Sequence, residues 1–158
     1  MDIRTYNKNA VVFRQGDVGD CMFDIQFGRI GIYDDYGGPN QQLIAELSVD
    51  QIFGEMGLLD KAPRSATAVA MEDGTVLSVI TEKEFYDYFE EFPAKVLLLM
   101  QQMSHRLRRT TKDYLDGCRA VYEAVGAENA GAVKSEETKS VLKRLAELYK
   151  GFNFYAHN

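Results

Sequence analysis

The hydrophobic period of this chain changes once, and that change divides it into two kinds of structure. From about residue 10 to residue 80, short apolar–polar alternations are separated by turn residues, as an all-β sandwich or barrel requires. Cys21, Phe23, Ile25 and Phe27 alternate with Met22, Asp24 and Gln26, which predicts one inward and one outward face. The cluster Asp34-Asp35-Tyr36-Gly37-Gly38-Pro39-Asn40 predicts a hairpin reversal, after which Leu43, Ala45 and Leu47 alternate back. Thr67-Ala68-Val69-Ala70 and residues 76–80 flank an Asp73-Gly74 turn. After Ile80 the period is close to four. Thr81-x-x-Glu84 has the spacing of a capping box, in which each side chain satisfies a free N–H at a helix start. Phe85, Tyr88, Phe89 and Phe92 follow on one apolar side. Pro93 suits the first turn of a further helix, predicted over residues 93–115. The expected fold is mainly β, a sandwich or barrel, followed by a long helix.

Along that helix Val96, Met100, Met103, Leu107, Thr110 and Tyr114 are spaced four, three, four, three, four, a heptad seam with one hydroxyl in it. Such a seam predicts a parallel homodimer through residues 93–115, or the packing of the same stripe on the protein's own β-roll. Residues 116–158 form a tail. Gly126, Gly131 and the alanines between them read as a connector, and Ser135-Glu136-Glu137-Thr138 opens an amphipathic segment over residues 135–150, with Gly151 as a stop. The division expected is a first domain at residues 1–115 and a helical tail at 116–158.

With 158 residues the chain can bury a proper core. A net charge of −6 gives no general attraction to nucleic acid or to an acidic membrane. The longest aliphatic run, residues 96–100, is far too short to span a bilayer. Met1-Asp2-Ile3-Arg4 has no apolar core of the signal-peptide kind, and a cytoplasmic protein is expected. Cys21 and Cys118 lack C-x-x-C spacing and read as reduced thiols.

Residues 54–67, Gly-Glu-Met-Gly-Leu-Leu-Asp-Lys-Ala-Pro-Arg-Ser-Ala-Thr, carry the functional chemistry. Glu55 and Arg64 stand nine positions apart across a short apolar turn. A carboxylate can accept from a sugar hydroxyl, while a guanidinium and nearby backbone N–H groups take a phosphate. Gly54 lets the backbone approach a ligand closely, and residues 56–59 can form one helical turn. Ser65 adds a hydroxyl and Ala66 a backbone N–H. The alternative is a desolvated Glu55–Arg64 ion pair with no ligand, which would be weak evidence for stability.

This segment closely resembles the phosphate-binding cassette of the cyclic nucleotide-binding domain family, whose members include catabolite-activator-type regulators and cyclic-nucleotide-gated kinases and channels. The resemblance covers about residues 8–115, and it implies that the β part is a β-roll of the jelly-roll kind followed by a long dimerisation helix and a short helical tail. Phe13-Arg14-Gln15-Gly16-Asp17 looks like the family's early strand and turn, Phe27-Gly28-Arg29-Ile30 like its glycine turn, and Phe53-Gly54-Glu55 with Arg64-Ser65-Ala66 like its signature. It implies that Glu55 binds the ribose 2′-hydroxyl and Arg64 the cyclic phosphate, with Gly54 and Ser65 in contact with the ligand. One position departs from the pattern: the family usually has glycine four residues before the Gly-Glu pair, and here Asp50 stands there. Aspartate tolerates left-handed angles better than most residues, so the turn is expected to survive.

Met103-Ser104-His105-Arg106-Leu107-Arg108-Arg109-Thr110-Thr111 resembles the dimerisation helix of the catabolite-activator branch. The resemblance implies that Thr110 meets the base in its own subunit and Thr111 the base held by the partner. The bland alternative makes Thr110 a tolerated seam residue and Thr111 a solvated one. The ligand implied is cyclic AMP (cAMP), with cyclic GMP (cGMP) second because Ser65 can also serve a guanine.

The branch's transcription factors carry a winged helix-turn-helix after the long helix. Here only 24 positions separate Thr111 from Ser135, and from Lys112 onward seven Lys/Arg face seven Asp/Glu. DNA contact depends on basic excess, so a stand-alone sensor is favoured over a DNA-binding regulator. A protein-interaction scaffold with a vestigial pocket is the other reading, and a protein partner would use the tail. His105 and His157 lie outside the strands, so no metal set of the jelly-roll enzyme kind is expected. There is no nucleophilic constellation and no P-loop, and neither catalysis nor a cofactor is expected.

Overall fold

The structure, a computed structural model, describes residues 1–128. The chain divides into two compact units, Met1–Gln102 and the residues from Met103 on. The first contains eight strands, β1 (Asp2–Tyr6), β2 (Val11–Phe13), β3 (Cys21–Phe27), β4 (Ile30–Asp34), β5 (Gln42–Leu47), β6 (Ile52–Phe53), β7 (Thr67–Ala70) and β8 (Thr75–Thr81). Helix α1 (Glu55–Asp60) falls between β6 and β7, and α2 (Phe85–Glu91) and the start of α3 (Pro93–Glu128) follow β8. One sheet has the order β1-β8-β3-β6 and the other β2-β7-β4-β5, with every pairing antiparallel. Consecutive strands alternate between sheets through much of the chain, which makes a jelly-roll sandwich.

The inner faces meet in a cluster built on Phe23, Ile25, Ile30, Leu47, Phe53, Leu77 and Val79. A second cluster joins Met22, Ile52 and Ile80 from the opposite face of the first sheet to Leu58 of α1, Tyr88 of α2 and Leu99 of α3. The first sheet is therefore covered on both faces, by the second sheet and by helices. This corrects the expectation of one outward face for β3: Met22, Phe23, Asp24 and Ile25 are all buried. Phe27, expected inward, is exposed because the β3–β8 register shifts between Ile25 and Phe27. A shift of one residue turns every later side chain to the other face.

Strand β1 was not foreseen. Its residues are largely exposed and polar, and it pairs at the edge through backbone bonds to β8, from Asp2 opposite Val79 to Tyr6 opposite Thr75. The capping box at Thr81 and Glu84 is present and opens a 3-10 turn that leads into α2. Helix α3 runs past the expected end at residue 115 to Glu128, 36 residues in all. Gly117 lies inside it, where a single glycine costs only about 0.5–1 kcal/mol. Tyr114, Cys118 and Val121 meanwhile continue the helical spacing of apolar residues. The amphipathic segment at residues 135–150, and the rest of the expected tail from residue 129, lie outside the described residues. No described helix is long and apolar enough to cross a membrane.

Candidate functional site

Gly54 turns the chain from β6 into α1 with φ 74°, a left-handed conformation that favours glycine. A Cβ there would also stand 2.9 Å from Arg64 Nη1, so the corner has no room for a side chain. Glu55 follows as the first residue of α1 and is 1% exposed. A carboxylate in the first turn faces the positive end of the helix. Lys61 closes α1 at φ 56°.

Arg64 reaches the same corner from the loop before β7, and it is 5% exposed. Its backbone is held by the turn at Arg14 to Asp17. The Arg64 N–H donates to Asp17 O and its carbonyl accepts from Gly16 N–H, each at 2.8 Å. The Asp17 carboxylate closes the turn by accepting from Arg14 N–H at 2.7 Å. The side chain donates from Nη1 to Gly54 O at 2.5 Å and from Nη2 to Cys21 O at 2.7 Å. The guanidinium carbon lies 4.3 Å from the centroid of the Phe13 ring, in cation–π range. Arg64 Nε is buried without a hydrogen-bond partner, the one such side-chain nitrogen or oxygen among the described residues.

These contacts aim the guanidinium but do not neutralise it, since two of its acceptors are uncharged carbonyls. The third neighbour, Cys21 Sγ, lies 3.6 Å from Nη2. Burial pushes the Cys21 thiol above its ordinary pKa, and the opposing pull of Arg64 does not overcome it. The thiol is therefore neutral near pH 7 and adds no negative charge beside the Arg64 guanidinium.

A close approach of two glycines fixes the helix against the neighbouring loop. A Cβ on Gly57 of α1 would lie 2.9 Å from Gly19 Cα and 3.2 Å from Ala62 O. These are backbone atoms that cannot rotate away. Gly57→Ala is therefore expected to displace α1 or the loop at Gly19 and to lower stability by about 1–3 kcal/mol, the usual cost of overpacking. Thermal unfolding measures it, and an unchanged melting temperature would show that the two backbones yield freely.

The structure thus brings Gly54, Glu55 and Arg64 to one corner. Ser65 is exposed beside Arg64, and Ala66 is buried just before β7. Thr110 is exposed and Thr111 half-buried on α3, within the second unit. Sequence reasoning assigned no role to Phe13 or to the Cys21 carbonyl. Phe13 stood in a motif already noted, but its place under the guanidinium depends on the pairing of β2 with β7. Asp50, where glycine was expected, takes φ 70°, so the aspartate does occupy the left-handed position.

Comparison with known proteins defines the family and the fold. The family model of the cyclic nucleotide-binding domain matches residues 3–92, more than half of the chain. The chain belongs to the cyclic nucleotide-binding domain family. It is 31% identical over 105 residues to the cyclic AMP receptor protein of Thermus thermophilus, covering 66% of this chain and 48% of that protein. It is 25% identical over 160 residues to a cAMP-dependent protein kinase regulatory subunit of Candida albicans, covering 92% of this chain and 34% of the relative. The chain therefore spans about half or less of the length of these curated relatives. Among solved structures, the catabolite activator protein of Thermus thermophilus superposes with a TM-score of 0.63 at 22% identity, over 96% of this chain and 79% of the other. That likeness is one of fold.

Proposed function

We propose that this chain is a non-catalytic cytoplasmic sensor that binds a cyclic nucleotide, cAMP by preference and cGMP second, and signals through its C-terminal helices. The observation that carries the reading is the buried, unpartnered Arg64 Nε beside the Gly54–Glu55 corner. A buried donor left unsatisfied costs about 1–3 kcal/mol, and an anionic oxygen placed there recovers it. The cyclic phosphate supplies that oxygen, while the N–H groups around Ser65 and Ala66 add donors. Glu55 accepts from the ribose 2′-hydroxyl. Thr110 and Thr111 meet the base, one in its own subunit and one across a homodimer. Support for the nucleotide also comes from the family and from the named ligand of the Thermus and Candida relatives.

The dimer is proposed through residues 93–115. Val96, Met100, Met103, Leu107 and Tyr114 are all exposed along α3, an apolar stripe that a second copy would cover. A protein partner would use the tail. Titration calorimetry with cAMP and cGMP tests the ligand, and sedimentation equilibrium of the same samples tests the dimer. Micromolar or tighter binding of cAMP is expected, with cGMP weaker. No heat with either nucleotide would overturn the sensor in favour of a scaffold, and a monomer at 100 μM would remove the dimer.

A further inference from the structure

Two side chains of α3, Lys95 and Gln102, stand seven residues apart on one face of the helix and grip the strand that leads into the Gly54 corner. Lys95 Nζ lies 2.9 Å from Asp50 Oδ1 and 3.0 Å from Asp24 Oδ1. The Gln102 amide bonds Ile52 twice, accepting from its N–H at 3.1 Å and donating to its carbonyl at 3.3 Å. Strand β6 has only two residues and lies at the edge of its sheet among the described residues, so the Gln102 amide extends the ladder where no further described strand does. Asp24, opposite Ile52 in the register, is held in turn by Tyr88 Oη at 2.8 Å and Gln26 Nε2 at 2.9 Å. Two and three residues beyond Ile52 come Gly54 and Glu55.

Stability alone does not explain these choices. A mostly buried ion pair is often matched by apolar residues of the same volume, and Leu99 already supplies apolar packing on this helix. What polar groups add is register and reversibility. The ammonium and the amide are well solvated if released, so of the docked face it is Leu99 with its packing partners, and not these two side chains, that resists release of the helix. Burial works against the Lys95 charge, but its hydrogen bonds to Asp50 and Asp24 outweigh that and raise its pKa, so it stays charged when docked.

We propose that Lys95 and Gln102 are positioning residues forming one clamp, which makes docking of the start of α3 and placement of residues 50–55 a single equilibrium. The link to ligand rests on the nucleotide reading above; the clamp itself does not. By reciprocity, whatever stabilises the Gly54–Glu55 corner then tightens α3, and loosening α3 weakens binding at the corner.

The test uses the full chain with Lys95→Met, Gln102→Leu, their double variant and Lys95→Arg, followed by amide hydrogen exchange. Without nucleotide, exchange at residues 50–53 and in the first two turns of α3 is expected to rise together, about tenfold, in each single variant, while amides of β8 stay unchanged. The double variant is expected to be no faster than the worse single one, and Lys95→Arg to restore most of the protection. With cAMP as probe, the single variants should bind about tenfold more weakly. Nucleotide should still protect residues 54–66 in them but no longer protect α3. Rises confined to one of the two segments, or effects that multiply in the double variant, would overturn the clamp. Should the unaltered protein bind neither nucleotide, the sensor reading falls while the exchange measurements still decide the clamp.

Discussion

Arg64→Ala is expected to reduce cyclic nucleotide affinity by at least 100-fold. Hydrogen bonds to charged groups contribute about 1.5–3 kcal/mol each, and a guanidinium offers a phosphate two or more in a fixed fork. Losing two of them corresponds to about 3–6 kcal/mol, or on the order of 10²–10⁴ in the dissociation constant. The same side chain also donates to Gly54 O and Cys21 O, so its removal leaves two carbonyls unpaired and weakens the fold as well. Binding loss alone is therefore ambiguous. Arg64→Lys separates the causes, because lysine retains the charge without the planar fork. If the charge draws the ligand, the lysine variant should regain part of the affinity and show a steeper salt dependence than the alanine variant. Calorimetry at two ionic strengths, with melting curves to verify folding, makes the comparison. Affinity within threefold of the parent in a folded Arg64→Ala protein would remove the phosphate role from this residue.

The pieces of this site that were legible in the sequence are the ones set by local spacing. The change of period at Ile80, the Thr81–Glu84 capping box and the Gly54-Glu55 corner each depend on residues within a few positions of one another. What could not be read depends on distant partners. The Arg64 guanidinium is aimed by the carbonyl of Cys21, 43 residues away, and by a ring at Phe13. The clamp joins Gln102 to Ile52 across 50 residues. Strand β1 escaped notice because edge pairing needs only backbone groups, so exposed polar side chains leave no alternation to detect. The two-faced burial of β3 escaped for the opposite reason. Alternation implies one wet face, yet Asp24 sits inward with Tyr88 and Lys95 as its partners, and no local pattern announces a buried carboxylate. Helix α3 exceeds its expected end at residue 115 because Tyr114, Cys118 and Val121 carry the apolar spacing across Gly117.

Phe53→Ala is expected to have the largest effect on stability, and its consequence for the site follows from the same packing. Phe53 is 1% exposed; its ring stacks on Phe23 with centroids 5.1 Å apart and lies 5.9 Å from Phe13. Phe13 and Phe23 lie 5.7 Å from each other, so the three rings form one block, and Arg64 rests on its Phe13 side. Deleting a buried phenyl ring costs about 3–5 kcal/mol in transfer and cavity energy. Against a typical stability of about 5–15 kcal/mol for a domain, that is a large share of the whole. A fall in melting temperature on the order of 10–20 °C is expected. The same cavity leaves the Phe13 ring free to sink away from the guanidinium, so affinity for cAMP should drop by about tenfold even at temperatures where the variant is fully folded. Phe53→Leu fills most of the space and should recover much of the stability while lacking the ring stack. Calorimetric melting and nucleotide titration of both variants test the argument. A Phe53→Ala protein that melts within 3 °C of the parent would show that the three rings are not the block on which Arg64 rests.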